Sequence, residues 1–200
     1  PSGTTGNRTP TETETTTPVT ERWSYQTGNR VVSSPAVVDG TVYVGSDDNS
    51  VYALSGADGT EQWSYETGGN VSSSPAVVDG TVYVGSEFPD NSVYALSAED
   101  GTEQWSFETG SGVYSSPAVV DGTVYIGSQD RNVYALSAED GTEQWSYETG
   151  EYVYSSPVVV DGTIYVGSED SNVYALAAQD GIEQWSFETG GGVDSSPAVA

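Results

Sequence analysis

The chain has 200 residues, with Lys+Arg 4 against Asp+Glu 30, a formal net charge of -26. Repulsion on that scale excludes nucleic acid and acidic membrane surfaces as partners. Cys 0 and His 0 exclude disulfides, thiolate chemistry and the commonest protein base and metal ligand. A hydrophobic content of 35% still suffices for a core, so the acidity reads as a surface property and not as disorder.

Residues 1–21, "PSGTTGNRTPTETETTTPVTE", hold almost no large apolar side chain and cannot offset their ordering entropy by burial. They read as a solvated Thr/Pro/Glu-rich tether that displays the folded part, residues 22–200, on a surface. Asn7-Arg8-Thr9 within it is an N-glycosylation acceptor triplet, and Asn70-Val71-Ser72 is a second one in a turn between repeats. No apolar run approaches 18 residues and no stretch reads as a signal peptide. The chain opens on Pro1, as expected of a processed product.

From Trp23 onward, short Val-, Tyr- and Thr-rich runs alternate with turn signals, and no segment between turns reaches helical length. In residues 71–110, "VSSSPAVVD" is a first strand, Asp79-Gly80 a hairpin turn and "TVYVGS" a second strand. A polar loop, "EFPDNS", leads to "VYALSA", a turn at Asp100-Gly101, and "TEQWSFETG" as the fourth strand. The unit recurs: Trp23, Trp63, Trp105, Trp145 and Trp185 are spaced by 40, 42, 40 and 40 residues.

The second and third strands are apolar on both faces, so each sheet needs cover on both sides. Four-stranded sheets packed radially satisfy that demand, which predicts an all-β fold: a β-propeller of four-stranded antiparallel blades, with four full repeats and a lone strand at each end. The small "SSPA" stretch belongs next to the axis, where Pro35, Pro75, Pro117, Pro157 and Pro197 are tolerated at an inner edge.

The phrase "VYALSAEDGTEQWSYETG" resembles the repeat of the quinoprotein-like, or PQQ-like, propeller family over residues 22–200. In that family an Ala, an acidic Gly turn and a Trp dock neighbouring blades. The resemblance assigns these positions to Ala53, Gly59 and Trp63, then Ala95, Gly101 and Trp105, then Ala135, Gly141 and Trp145, then Ala175, Gly181 and Trp185. It implies a fold more than a chemistry, since its members include alcohol dehydrogenases, barrel-assembly lipoproteins and surface proteins.

A quinone site on the axis needs dissimilar groups from different blades, whereas these blades are near copies. The adjacent Cys pair that such dehydrogenases often carry is missing. No catalytic residue and no cofactor are therefore expected. Asp47, Asp48 and Asn49 could offer oxygens to calcium, but they lack the alternate-residue pattern and terminal Glu of a dedicated loop, and acidic surface turns are the preferred reading. Arg131 reads as the partner of its neighbour Asp130. Departures from the repeat at Phe88, Tyr114, Glu151, Tyr152 and Tyr154 place aromatics and a carboxylate where a protein partner would touch.

The unpaired strands at both ends admit three readings: a fragment of a longer propeller, a small four-bladed ring with spare terminal strands, or strands that serve as templates for further copies of the chain and build a ring or a filament. Screening completes the expectation: the Debye length falls from about 30 Å at 0.01 M to about 3 Å at 1 M, so this charge suits brine. All four cations are Arg, a composition similar to that of proteins from salt-loving archaea. The sequence thus predicts a non-enzymatic, extracellular or cell-surface propeller of a halophile serving interaction or structural assembly. The alternative is a fragment of a PQQ-dependent quinoprotein dehydrogenase.

Overall fold

Asp-Gly pairs set the first hairpin of every repeat. Asp79 and Gly80 both hold positive φ, 49° and 78°, which the tight two-residue turn requires and which Asp and Gly accept at little cost. The computed structural model describes residues 20–199, all of them outside helices. The expected tether, with Asn7, lies outside the described residues except for its last two positions.

Sixteen strands form four antiparallel sheets, each in simple chain order. Blade 1 holds β1 (Ala36–Val38), β2 (Thr41–Ser46), β3 (Ser50–Ser55) and β4 (Glu61–Glu66). Blade 2 holds β5 (Ala76–Val78), β6 (Thr81–Gly85), β7 (Ser92–Ser97) and β8 (Glu103–Glu108). Blade 3 holds β9 (Ala118–Val120), β10 (Thr123–Gly127), β11 (Asn132–Ser137) and β12 (Glu143–Glu148). Blade 4 holds β13 (Val158–Val160), β14 (Thr163–Gly167), β15 (Asn172–Ala177) and β16 (Glu183–Glu188). The inner strands β1, β5, β9 and β13 touch in that order, so the blades make an open arc.

Two details differ from the sequence reading. The inner strand is three residues long, because N–H donors in the run before it bond across blade boundaries and do not extend the ladder. Val71 N–H donates to the Ser46 carbonyl of the preceding blade at 3.0 Å, and Ser74 N–H to Ser116 Oγ of the following blade at 2.9 Å. The expected lone end strands, around Trp23 and after Gly190, likewise lie against the outer blades without joining a ladder.

No blade has a core of its own. Each apolar cluster joins two neighbours: Tyr43, Val51, Ala53 and Trp63 of blade 1 meet Val82, Val84, Tyr94 and Leu96 of blade 2. The same pattern recurs between blades 2 and 3 and between blades 3 and 4. Trp63 anchors its interface. Its indole Nε1 donates to the Ala98 carbonyl at 3.1 Å, and its Cε3 would stand 2.6 Å from a Cβ built on Gly101, where φ is +73°. Only Gly fits there, both for its backbone and for the ring above it.

The Ala, Gly and Trp of one repeat therefore serve two different contacts. Ala53 is the cross-strand neighbour of Trp63 in one blade, as Ala95 is of Trp105, Ala135 of Trp145 and Ala175 of Trp185. Gly59 is covered by Trp23, while Trp63, Trp105 and Trp145 cover Gly101, Gly141 and Gly181 of the next blade. Trp185 has no blade beyond it and is 46% exposed, against 7% for Trp63 and Trp105.

Tyrosines add a polar link along the outer strands. The hydroxyls of Tyr25, Tyr65 and Tyr147 donate to Glu61, Glu103 and Glu183 of the following blade. Phe107 and Phe187 stand at the equivalent positions without a hydroxyl. Burial, and then the bond to a carboxylate, push Tyr65 and Tyr147 above the ordinary tyrosine value of 10.0.

Two outcomes follow. Trp105→Ala should cost about 3–5 kcal/mol in denaturant melts, as deletion of a buried Trp does, whereas Trp185→Ala should change monomer stability by no more than about 0.5 kcal/mol. Because folding raises these tyrosine values, their stabilisation is complete below pH about 10 and is lost as pH rises through the folded values. Melting temperature should accordingly hold level up to that pH and then fall, and the fall should be shallower in a Tyr65→Phe, Tyr147→Phe double variant.

Candidate interaction surface at the loop end of the blades

Along the axis the repeats present one group again and again. Backbone N–H groups of Ser34, Ser74, Ser116 and Ser156 donate to Oγ of Ser74, Ser116, Ser156 and Ser196 at 2.8, 2.9, 2.8 and 3.1 Å. This ladder consumes its own hydroxyls as acceptors and offers a ligand little beyond small, equivalent groups.

The turns joining the second and third strands are also internally occupied. Asp48, Asp130 and Asp170 accept the hydroxyls of Tyr52, Tyr134 and Tyr174 at 2.8, 2.7 and 2.6 Å. They also accept the N–H groups of Gly28, Gly110 and Gly150, at 2.6, 2.7 and 2.6 Å, and so staple each turn to the segment leaving the previous outer strand. Burial opposes ionisation of Asp170, yet these hydrogen bonds hold its carboxyl below the ordinary value. Asp48 is therefore a staple, Asn49 supplies the positive φ of its turn at 69°, and Asp47 forms an ion pair with Arg30 at 2.8 Å. Among the described residues no group of three or more Asp or Glu is arranged to hold a metal ion. The expected Asp130–Arg131 pair does not form: Asp130 serves its tyrosine and glycine, and Arg131 reaches Glu148 at 3.1 Å.

Differences among the blades collect at one rim. A backbone bond in each blade brings the residue entering the inner strand beside the loop after the second strand: Asp47, Glu87, Gln129 and Glu169 N–H groups donate to Arg30, Asn70, Gly112 and Tyr152 carbonyls at 2.8–3.0 Å. Two residues past Asn70, Gly112 and Tyr152, and at Asp194 on the C-terminal flank, a side chain lies beside the loop of the preceding blade, and the chemistry changes each time. Ser72 Oγ lies 3.4 Å from Asp47 Oδ1 and donates to Glu87 of its own blade. Burial, and then the neighbouring Glu87 carboxylate, push the Tyr114 hydroxyl up to about 12. Gln129 Nε2 donates to Tyr154 Oη at 2.6 Å. The neighbouring Asp194 carboxyl raises the Glu169 carboxyl.

The aromatics meet on this rim. Tyr154 stands edge-on to Tyr114 at 5.5 Å and to Tyr152 at 6.2 Å. Tyr152 is 44% exposed and Phe88, in the loop between β6 and β7, is 77% exposed. Asn70 is half-buried in the same region, and the hydroxyl of Ser72 in its triplet is engaged by Glu87. Glu87, Gln129, Glu169, Ser72 and Asp194 escaped the sequence reading. Their signal is a column comparison: the residue after each Gly-Ser reads Asp, Glu, Gln, Glu, while its partner 25 to 27 positions later reads Ser, Tyr, Tyr, Asp.

A cleft of about 490 Å³ opens between blades 3 and 4, lined in part by Thr123, Tyr125, Gln144 and Ala178. Most of its residues recur at the other boundaries, where Ser and Glu stand in place of Ala177 and Gln179, and none of them is a cation. An anionic quinone fits neither place: the axis presents a serine ladder, the rim is dominated by carboxylates, and Arg30 is committed to Asp47.

No curated protein sequence matches the chain. Solved structures do. BamB from Moraxella catarrhalis aligns with a TM-score of 0.75 at 18% identity over 86% of this chain and 56% of that one. The quinohemoprotein alcohol dehydrogenase ADHIIG from Pseudomonas putida HK5 aligns with a TM-score of 0.70 at 22% identity over 84% of this chain and 35% of its own. The computationally designed Ika4 protein aligns with a TM-score of 0.71 at 17% identity over 79% of this chain and 98% of that one. The chain thus spans little more than half of the BamB structure and about a third of the dehydrogenase, and these likenesses concern the fold. The family described as outer membrane protein assembly factor BamB matches residues 16–88 and 89–200, nearly the whole sequence, and the chain belongs to that family of PQQ-like propeller repeats.

Proposed function

We propose that the chain is a non-enzymatic interaction module at the cell surface of a halophile, serving structural assembly by binding a protein partner or further copies of itself. The observation that carries this reading is the division of labour between axis and rim. The axis repeats one serine contact, whereas the three blade boundaries on the rim carry different pairs, Ser72 with Asp47, Tyr114 with Glu87 and Tyr154 with Gln129, and the C-terminal flank on blade 4 adds Asp194 with Glu169. A surface that is non-repeating, partly aromatic and outside the blade interfaces is suited to recognising one partner in one orientation. The family description, an assembly factor, supports the same class of role.

The charge of -26 and the Thr-rich N-terminal stretch support the extracellular and brine parts of this reading, and the outer faces of blades 1 and 4 support its self-assembling part. The alternative, a fragment of a PQQ-dependent dehydrogenase, draws on the fold shared with the Pseudomonas putida enzyme. Adding pyrroloquinoline quinone and calcium to the protein in molar salt separates the two. The interaction module gives no bound chromophore and no quinone-dependent dye reduction, and either signal would overturn it.

A further inference from the structure

The blade interface is built three times among the described residues, and blades 1 and 4 each carry one half of it on their outer faces. The outward face of blade 4 carries Tyr165, Ala175, Trp185 and Phe187, the counterparts of Tyr83, Ala95, Trp105 and Phe107. The opposite face of blade 1 carries Val42, Val44, Tyr52 and Leu54, the counterparts of Val82, Val84, Tyr94 and Leu96.

Blade 1 is not bare. Residues 21–27 lie on it without a ladder, with Trp23 on Gly59 and Tyr25 at 5.5 Å from Tyr52, the distance that separates Tyr65 from Tyr94. At the other end, residues 190–199 lie on blade 4, also without a ladder, and place Val193 against Gly167 as Val71 is placed against Gly45. These flanking segments belong to one repeated stretch: 21–37, "ERWSYQTGNRVVSSPAV", and 183–199, "EQWSFETGGGVDSSPAV", are identical at 11 of 17 positions.

We propose that the chain associates head to tail with a second copy by segment exchange: Trp185 of one copy replaces Trp23 on Gly59 of the next, and Val31 of that next copy replaces Val193 against Gly167. This deepens the self-assembling part of the proposed function and rests on it. Residues 21–27 of one copy and 190–199 of the other peel away, and neither takes part in a ladder. Most of their bonds have a replacement in register. Trp185 Nε1 takes the Gly56 carbonyl that Trp23 holds at 3.1 Å, and Val31 N–H takes the Ser168 carbonyl that Val193 holds at 3.0 Å. The hydrogen bond from Tyr25 to Glu61 is lost, since Phe187 replaces the tyrosine.

The exchange gains apolar burial that neither flank supplies. Phe187 at 64%, Trp185 at 46% and Val37 at 66% exposure gain cover, as their counterparts Phe107 and Val77, partly buried, and Trp105, buried, already have. It also moves Asp194 away from Glu169 and brings Val32 in its place, ending a contact between two carboxyls that now raises the Glu169 value. Each copy carries -26, so the contact forms in molar salt, where the Debye length is about 3 Å. A head-to-tail contact closes into a ring or continues as a filament, and both are products of the same exchange.

The test is the particle mass of the full chain across protein concentration in molar salt. Mass should rise above 20.9 kDa in multiples of the chain. Trp185→Ala should hold it at the monomer. Trp23→Ala removes the competing segment and should shift assembly to a concentration lower by about tenfold or more, the effect of about 1.4 kcal/mol. Tyr25→Ala, a milder lesion in the same flank, should shift it in the same direction. Monomers at every concentration would overturn both the exchange and self-assembly, leaving binding of a different protein as the function. Assembly that survives Trp185→Ala, or that Trp23→Ala and Tyr25→Ala weaken, would overturn the exchange alone.

Discussion

An indole lying on a glycine is the contact on which the arrangement depends. A four-stranded blade with apolar residues on both faces cannot bury either face against itself, so its stability resides in the contact with its neighbour. Trp63 meets that need with a large ring, a hydrogen bond to Ala98 that satisfies its only donor, and a landing place at Gly101 that no side chain occupies. Ala53 across the strand leaves room for the ring. Each of these features constrains one position per repeat, which is why the same phrase recurs with so few changes.

That constraint also locates where the chain is free to vary. The core lies between blades and the axis is lined by one repeated serine contact, so both change little from one blade to the next, as Val84, Ile126 and Val166 do. The rim is tied to the fold by backbone bonds such as Glu87 N–H to Asn70 carbonyl, which leave the side chains at liberty. There the pairs differ at every boundary, and there the exposed aromatics gather. The excess of carboxylates has a structural share as well: Asp48, Asp130 and Asp170 hold the turns, and Glu103 and Glu183 receive tyrosines from the neighbouring blade.

Much of the fold was legible because its signals are local. Asp-Gly pairs fix hairpins, strand alternation fixes the faces, and the Trp spacing fixes the repeat. What the sequence concealed runs between blades. Proximity in the chain groups Gly59 with Trp63, whereas the ring over Gly59 belongs to Trp23, some 36 residues earlier. The first strand was read too long because its donors are used by neighbouring blades, a destination no local pattern records. Asp130 was paired with Arg131 by adjacency, although the left-handed turn at Arg131, with φ at 78°, accompanies a side chain that reaches Glu148 instead. The rim pairs, 25 to 27 residues apart, become visible only when the repeats are aligned as columns.

Hydrogen exchange of the monomer, measured amide by amide at low protein concentration in molar salt, tests most directly whether stability lies between blades. If it does, protection should be highest in the strands of blades 2 and 3, which have a neighbour on each side, and lowest in β16, whose Trp185 meets none. Equal protection of β16 and β8, which share the sequence EQWSFE and differ chiefly in having a neighbour, would contradict the account.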